Sequence, residues 1–94
     1  LAAEAAPVDD LGPLRARIAS DPGDQEARYE LAGGLMAIGD RDGAADVLLG
    51  SIEADREWNE GAARKRLLTL FEATGLEDPW VSAQRRRLSA ILFG

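Results

Sequence analysis

The chain has 94 residues, of which 46% are hydrophobic but only 5% aromatic, and a formal net charge of −6. That length makes one domain, and a core drawn mainly from Leu, Ile and Ala suits closely packed helices better than a β-sandwich. Cysteine and histidine are absent, which removes thiol nucleophiles, imidazole bases, disulfides and ordinary zinc sites, and no apolar run approaches the roughly 20 residues that span a bilayer.

Residues 1–7 are Ala-rich, include Glu4 and have no basic start, so they read as a linker stub and not as a signal peptide. The chain begins at Leu1 without an initiator Met and is expected to be a piece of a longer protein; the lack of Cys fits a cytoplasmic one. The domain proper is expected over residues 8–94. A first helix is expected over residues 8–20, where Leu11, Leu14 and Ile18 recur at helical spacing. Gly12-Pro13 falls in its early turns, and Pro is tolerated only in the first turn, so the regular part starts near Gly12. Asp21-Pro22-Gly23-Asp24 is a stop and turn.

A second helix follows to about residue 38, with Asp24 as N-cap and an inner stripe of Ala27, Leu31, Leu35 and Ile38, Met36 beside it. Gly33-Gly34 in its middle costs about 1 kcal/mol per glycine relative to Ala. Two readings stand: a neighbouring helix approaches closely there, or the helix is hinged or thinned for a ligand. Gly39-Asp40 makes the next turn. A third helix is expected over residues 41–56, burying Ala44, Leu48, Ser51 and Ile52 with Val47 adjacent. Asp40-Arg41-Asp42-Gly43 lacks the third ligand position and the distal Glu of a calcium loop, so it reads as a helix cap and no metal site is assigned.

A fourth helix is expected over residues 59–74, started by Asn59 or Glu57 and stopped at Gly75, with Ala63, Leu67, Leu70, Phe71 and Thr74 on one face and Leu68 widening it. Glu77-Asp78-Pro79 caps a fifth helix carrying Trp80 at its start and Val81, Gln84, Leu88, Ile91 and Leu92 on one side. The expected core is Leu31, Leu35, Leu48, Ile52, Leu67, Leu70, Phe71 and Leu88.

Residues 25–58 have the length and spacing of a tetratricopeptide repeat, an antiparallel helix pair in about 34 residues. Leu31-Ala32 resembles the Leu-Gly of that pattern, Leu35 stands at its aromatic position, and Ala44 and Leu48 are the small and bulky pair of the second helix. Arg28 departs from its Trp and Arg56 from its closing Pro. The resemblance implies an all-α fold: half a repeat, one full repeat over residues 25–58, and a diverged terminal hairpin over residues 59–94, stacked into a short superhelical arc. Such a hairpin cannot bury its apolar face alone, so neighbours must stack on it.

Charge is uneven along the chain. Residues 1–62 carry 5 basic and 14 acidic side chains, net −9; residues 63–94 carry 6 basic and 3 acidic, net +3. Arg64-Lys65-Arg66 and Arg85-Arg86-Arg87 are the densest basic runs. Three successive helical positions fan across roughly 200°, so one member of each triplet must lie near the packed face. The triplets pair with Asp55, Glu57 and Glu60, or they form a docking surface for an anionic face of a partner protein. Nucleic acid is not an expected partner: the chain is acidic and the basic runs are not interleaved with aromatics. Trp58 and Trp80 pack corners of the second hairpin, or anchor a client, since Trp is enriched at binding hot spots. In the uncharged end, Ala90-Ile91-Leu92-Phe93-Gly94, part closes the core and Phe93 with Ile91 is left as a recognition tail.

From Asp55 onward the sequence resembles a more particular group. The run Asp55-Arg56-Glu57-Trp58-Asn59-Glu60-Gly61-Ala62-Ala63-Arg64-Lys65 leads into Leu67-Leu68 and Leu70-Phe71. Gly75, Glu77-Asp78-Pro79, Arg85-Arg86, Leu88 and Leu92-Phe93 follow. This is similar to the C-terminal TPR-like domain of bacterial thioredoxin-like co-chaperones of the YbbN or chaperedoxin type. The resemblance implies a holdase-like module that binds unfolding clients and passes them to chaperonin or Hsp70, with the terminal helix, residues 79–93 here, as the docking element. Redox activity does not carry over, because no Cys-x-x-Cys is present.

Three functions are open to such a chain. The first is a non-catalytic protein-interaction module, with Arg85, Arg86, Ile91, Leu92, Phe93 and Trp80 as its partner-binding residues. The second is a structural role, packing on a thioredoxin-like domain or on another copy as a homo-oligomer. The third is an enzyme. Its candidate carboxylate pairs, Asp9-Asp10 and Glu77-Asp78, stand at helix starts where capping accounts for them, so no catalytic residue and no cofactor is assigned.

Overall fold

The computed structural model describes residues 11–94, and within them the architecture is helical throughout: α1 (Gly12–Ser20), α2 (Gln25–Ala37), α3 (Arg41–Ala54), α4 (Ala62–Thr74) and α5 (Pro79–Phe93), with a 3-10 turn at Trp58–Glu60 before α4. The stub at residues 1–7, the expected helical residues 8–10 and the Asp9-Asp10 pair lie outside the described residues. No strand occurs among the described ones.

Each boundary has a local cause. Pro13 sits in the first turn of α1, where its missing N–H is not needed. Asp24 caps α2 by accepting the Ala27 N–H at 2.9 Å, a bond that, with Arg17 close by, holds its carboxyl below the ordinary carboxylate value. Asp40 caps α3 by accepting the Gly43 N–H, also at 2.9 Å. Asp78 caps α5 by accepting from Trp80 N at 2.7 Å.

Three elements differ from expectation. The inner stripe of α2 ends at Leu35: Ile38 is its C-cap, beyond the last helical turn, and is 46% exposed. The third helix stops at Ala54 because Asp55 turns extended, at φ −161°, and its carboxylate accepts the Glu57 N–H in its own loop. Neither Asn59 nor Glu57 starts the fourth helix. Asn59 and Glu60 are both left-handed, at φ 49° and 59°, Gly61 follows at φ 79°, and α4 begins at Ala62 with no side-chain cap. Three left-handed residues in succession reverse the chain tightly after α3; Asn and Gly accept that region readily, whereas Glu60 is the costly member.

The packing follows the chain as far as α4, and α5 then returns to α3 instead of pairing closely along α4. α1 lies on α2, α2 pairs with α3, α4 packs on α3 and touches α2, and α5 packs on α3. Ala27, Ala32, Ala44 and Ala45 are fully buried, so the backbones of α2 and α3 approach closely, and Leu31, Leu35, Leu48 and Ile52 fill the space beside them. Leu67, Leu70, Phe71, Val81 and Leu88 extend the same core into the second hairpin. All eight residues expected in the core are buried. One polar pair sits inside it: Ser51 Oγ donates to Gln25 Oε1 at 2.8 Å, and Gln25 Nε2 donates back to the Ser51 carbonyl at 3.3 Å. The pair fixes the first turn of α2 against α3, and its directionality specifies register in a way apolar contacts do not.

Candidate functional site: two grooves and a terminal helix

The two basic triplets are divided among three surfaces, as the fan of successive helical positions requires. In the first, Arg66 turns toward α2. Its guanidinium lies 3.7 Å from the centre of the Tyr29 ring and donates to the Tyr29 carbonyl at 2.8 Å. Tyr29 in turn meets Trp58 at 5.7 Å between centroids. Gly33 makes this possible: a Cβ there would stand 2.5 Å from Arg66 Nη1. Gly34 makes room on its other side for Leu11, with the same 2.5 Å separation from Leu11 Cδ2. The double glycine thus serves close approach, by side chains of the flanking elements. Beside the Arg66 strap, Tyr29, Gly33, Met36, Lys65, Arg66 and Thr69 line a groove of about 400 Å³ between α2 and α4.

Arg66→Ala is expected to cost about 1–2 kcal/mol, since it removes a stacked cation and a charge-assisted hydrogen bond. Arg66→Lys should recover little, because an ammonium neither stacks nor forks as a guanidinium does. Urea unfolding of the three proteins checks this; an unchanged midpoint for Arg66→Ala would mean that the strap holds nothing.

In the second triplet, Arg87 donates from Nη1 to Asp46 of α3 and to Gln84 of α5, both at 2.8 Å. Arg85 and Arg86 are exposed. They share a shallow depression with Ser82 and Ser89, and only Arg85 also reaches the groove between α4 and α5. The expected pairing of the triplets with Asp55, Glu57 and Glu60 does not occur. Among the described residues the ion pairs are Arg17 with Asp24 and Glu30, Arg41 with Asp78, and Arg87 with Asp46.

The groove between α4 and α5 holds about 290 Å³ and is lined by Arg64, Leu68, Arg85, Leu88, Ser89, Leu92 and Phe93. Phe93 is 85% exposed and Leu68 40%, with Leu92 half-buried beneath them. Of the six residues expected to bind a partner, the structure gathers Arg85, Leu92 and Phe93 here. Ile91 packs against the core instead, and Arg86 faces away. Trp80 is at the other end of α5, about 20 Å along the helix from Phe93. It is held within the chain: its indole N–H donates to Asp42, Arg41 stacks on it at 4.8 Å, and Phe71 meets it edge-on at 6.4 Å.

Three participants are absent from the six expected partner-binding residues. Arg64 and Leu68 supply the α4 wall of the groove, and their signal is the i, i+4 spacing on the side of α4 opposite Arg66. Arg56 donates to the Leu92 carbonyl at 3.3 Å, placing a cation at the C-terminal end of α5. Nothing local in the sequence marks that contact, which joins residues 36 apart.

Helices stacked in pairs with open grooves between them define a helical-repeat scaffold. The chain belongs to the tetratricopeptide-repeat family: that family's model matches residues 4–93. Comparison with curated proteins gives no match. Repeats of this kind generally mediate protein–protein contacts and are typically non-catalytic. No helix among the described residues is long and apolar enough to cross a membrane.

Proposed function

We propose that the chain is the interaction module of a thioredoxin-like co-chaperone, binding unfolding clients and docking on a chaperonin or Hsp70 through its terminal hairpin. The observation that supports this most directly is the apolar end of α5. Phe93 and Leu92, with Leu68 across the groove, form an exposed apolar surface between Arg64 and Arg85. Apolar surface flanked by arginine is what protein-binding hot spots are made of. The resemblance from Asp55 to Phe93 names the kind of partner, and a cytoplasmic setting goes with it.

The test uses the whole chain and a Phe93→Ser variant, a change confined to an exposed side chain, with circular dichroism on both. Each is titrated with purified chaperonin and with Hsp70. Binding of either chaperone that weakens at least about tenfold in the variant supports the reading. Absence of binding to both, together with a tight dimer that Phe93→Ser dissociates, would replace it with a self-association role.

A further inference from the structure

Within the stack, α4 is seated against both members of the preceding hairpin, α2 and α3. α4 and α5 both pack on α3 and leave between them a groove that no described element fills. Arg64 and Leu68 stand one helical turn apart on α4. Arg85, Leu88 and Leu92 follow one another at spacings of three and four on α5, and Phe93 closes the end. The floor is apolar and the two corners are guanidinium groups. Arg66 and Arg87, the other arginines of the same triplets, are bonded to α2 and α3. Arg64 and Arg85 have no carboxylate within 4.0 Å among the described residues.

We propose that this groove receives an acidic amphipathic helix of a partner protein. The apolar stripe of that helix seats on Leu68, Leu92 and Phe93. Carboxylates flanking the stripe meet Arg64 and Arg85. The stretch of α5 from Arg85 to Phe93 is about 12 Å long, so two to three turns of a crossing helix suffice. A second copy of the chain fits poorly as occupant. Its edge helix at the far end of the stack, α1, carries Arg15 and Arg17 and no acidic residue, so docking it here would set arginine against arginine. This inference rests on the interaction-module reading and adds the chemistry of the partner.

The probe is a synthetic Ala-based peptide of about 18 residues, long enough to sample helix, with Leu at i, i+3, i+4 and i+7 and Glu on both sides of that stripe. A control carries Lys in place of every Glu. Both are titrated against the whole chain by calorimetry at low and at physiological salt. The Glu peptide is expected to bind at least about tenfold more tightly than the Lys peptide, and to weaken as salt rises because the arginines are exposed. The double variant Arg64→Glu with Arg85→Glu should reverse the preference, and Phe93→Ser should weaken both peptides. Equal binding of the two peptides, or a Glu preference that survives the double charge reversal, would overturn the proposal. So would sedimentation showing a dimer that buries the groove. Loss of chaperone binding in Phe93→Ser without any Glu preference overturns this inference and leaves the module reading standing. A Glu preference without chaperone binding does the reverse.

Discussion

Phe71→Ala lowers the unfolding free energy by about 3–5 kcal/mol. The side chain is 1% exposed and lies where the second hairpin joins the rest of the molecule. It belongs to α4, meets the Trp80 ring of α5 edge-on, and shares a core cluster with Leu48 and Ile52 of α3. Truncation removes both the transferred apolar area and the edge contact, and it leaves a cavity between three helices that close-packed neighbours cannot fill. A domain of this length holds only about 5–15 kcal/mol in total, so the melting temperature should fall by well over 10 °C. Thermal unfolding followed by circular dichroism measures the loss, and tryptophan fluorescence follows the seam between the hairpin and the preceding helices, because Trp58 meets Tyr29 of α2 and Trp80 meets Asp42 and Arg41 of α3. Coincident transitions mean that the stack unfolds as one unit. A fluorescence change well below the main melt means that the terminal hairpin opens by itself, as nearest-neighbour stacking allows. A loss under about 1 kcal/mol would contradict the burial assigned to Phe71.

Ala44→Leu destabilises by about 1–3 kcal/mol, by overpacking and not by cavity formation. Ala44 is fully buried at the α2–α3 crossing, together with Ala27, Ala32 and Ala45. Each Cβ-sized residue there sets the distance between two backbones, and an isobutyl group must either leave its rotamer well or push the helices apart. Separation would also stretch the Gln25–Ser51 pair, whose 2.8 Å bond crosses the same interface. Ala44→Gly is a useful partner, because it relieves crowding while weakening the helix by about 1 kcal/mol. A leucine variant that melts with the parent would show that the crossing is not close-packed.

These two effects come from residues that the sequence already places inside, since helical periodicity selects Phe71 and Ala44 without reference to any neighbour. The turn before α4 is different. Asn59 looks like a helix start because its side chain suits an N-cap, yet its backbone is left-handed and the helix waits until Ala62. Capping chemistry is local, whereas the chain must first reverse direction after α3, and that demand decided the geometry. Ile38 shows the same limit: periodicity extends the α2 stripe to it, but the helix has already ended.

The candidate site was half legible. Phe93, Leu92 and Arg85 could be named from an apolar, uncharged end following a basic run. Trp80 carried the same kind of signal, and the structure uses it instead as a bridge to Asp42, Arg41 and Phe71. A large amphipathic side chain reads alike whether its partner lies in the same chain or in another. Arg64 and Leu68 were visible only as members of a basic run and a widened helix face, because their meaning depends on which helix stands opposite.

The sequence by itself determined the helices, their order, the small-residue crossing and the eight large side chains named for the core, though not Ala45 and Leu49, which are buried with them. All of these follow from spacing along the chain and from caps within a few residues. Only the tertiary structure decided which arginine of each triplet is bonded inward and which faces a groove, and that Gly33 exists to admit Arg66. Those outcomes depend on contacts between residues 33 to 41 positions apart. Sequence spacing within one helix cannot encode them, because a helix fixes the direction of a side chain but not what it meets.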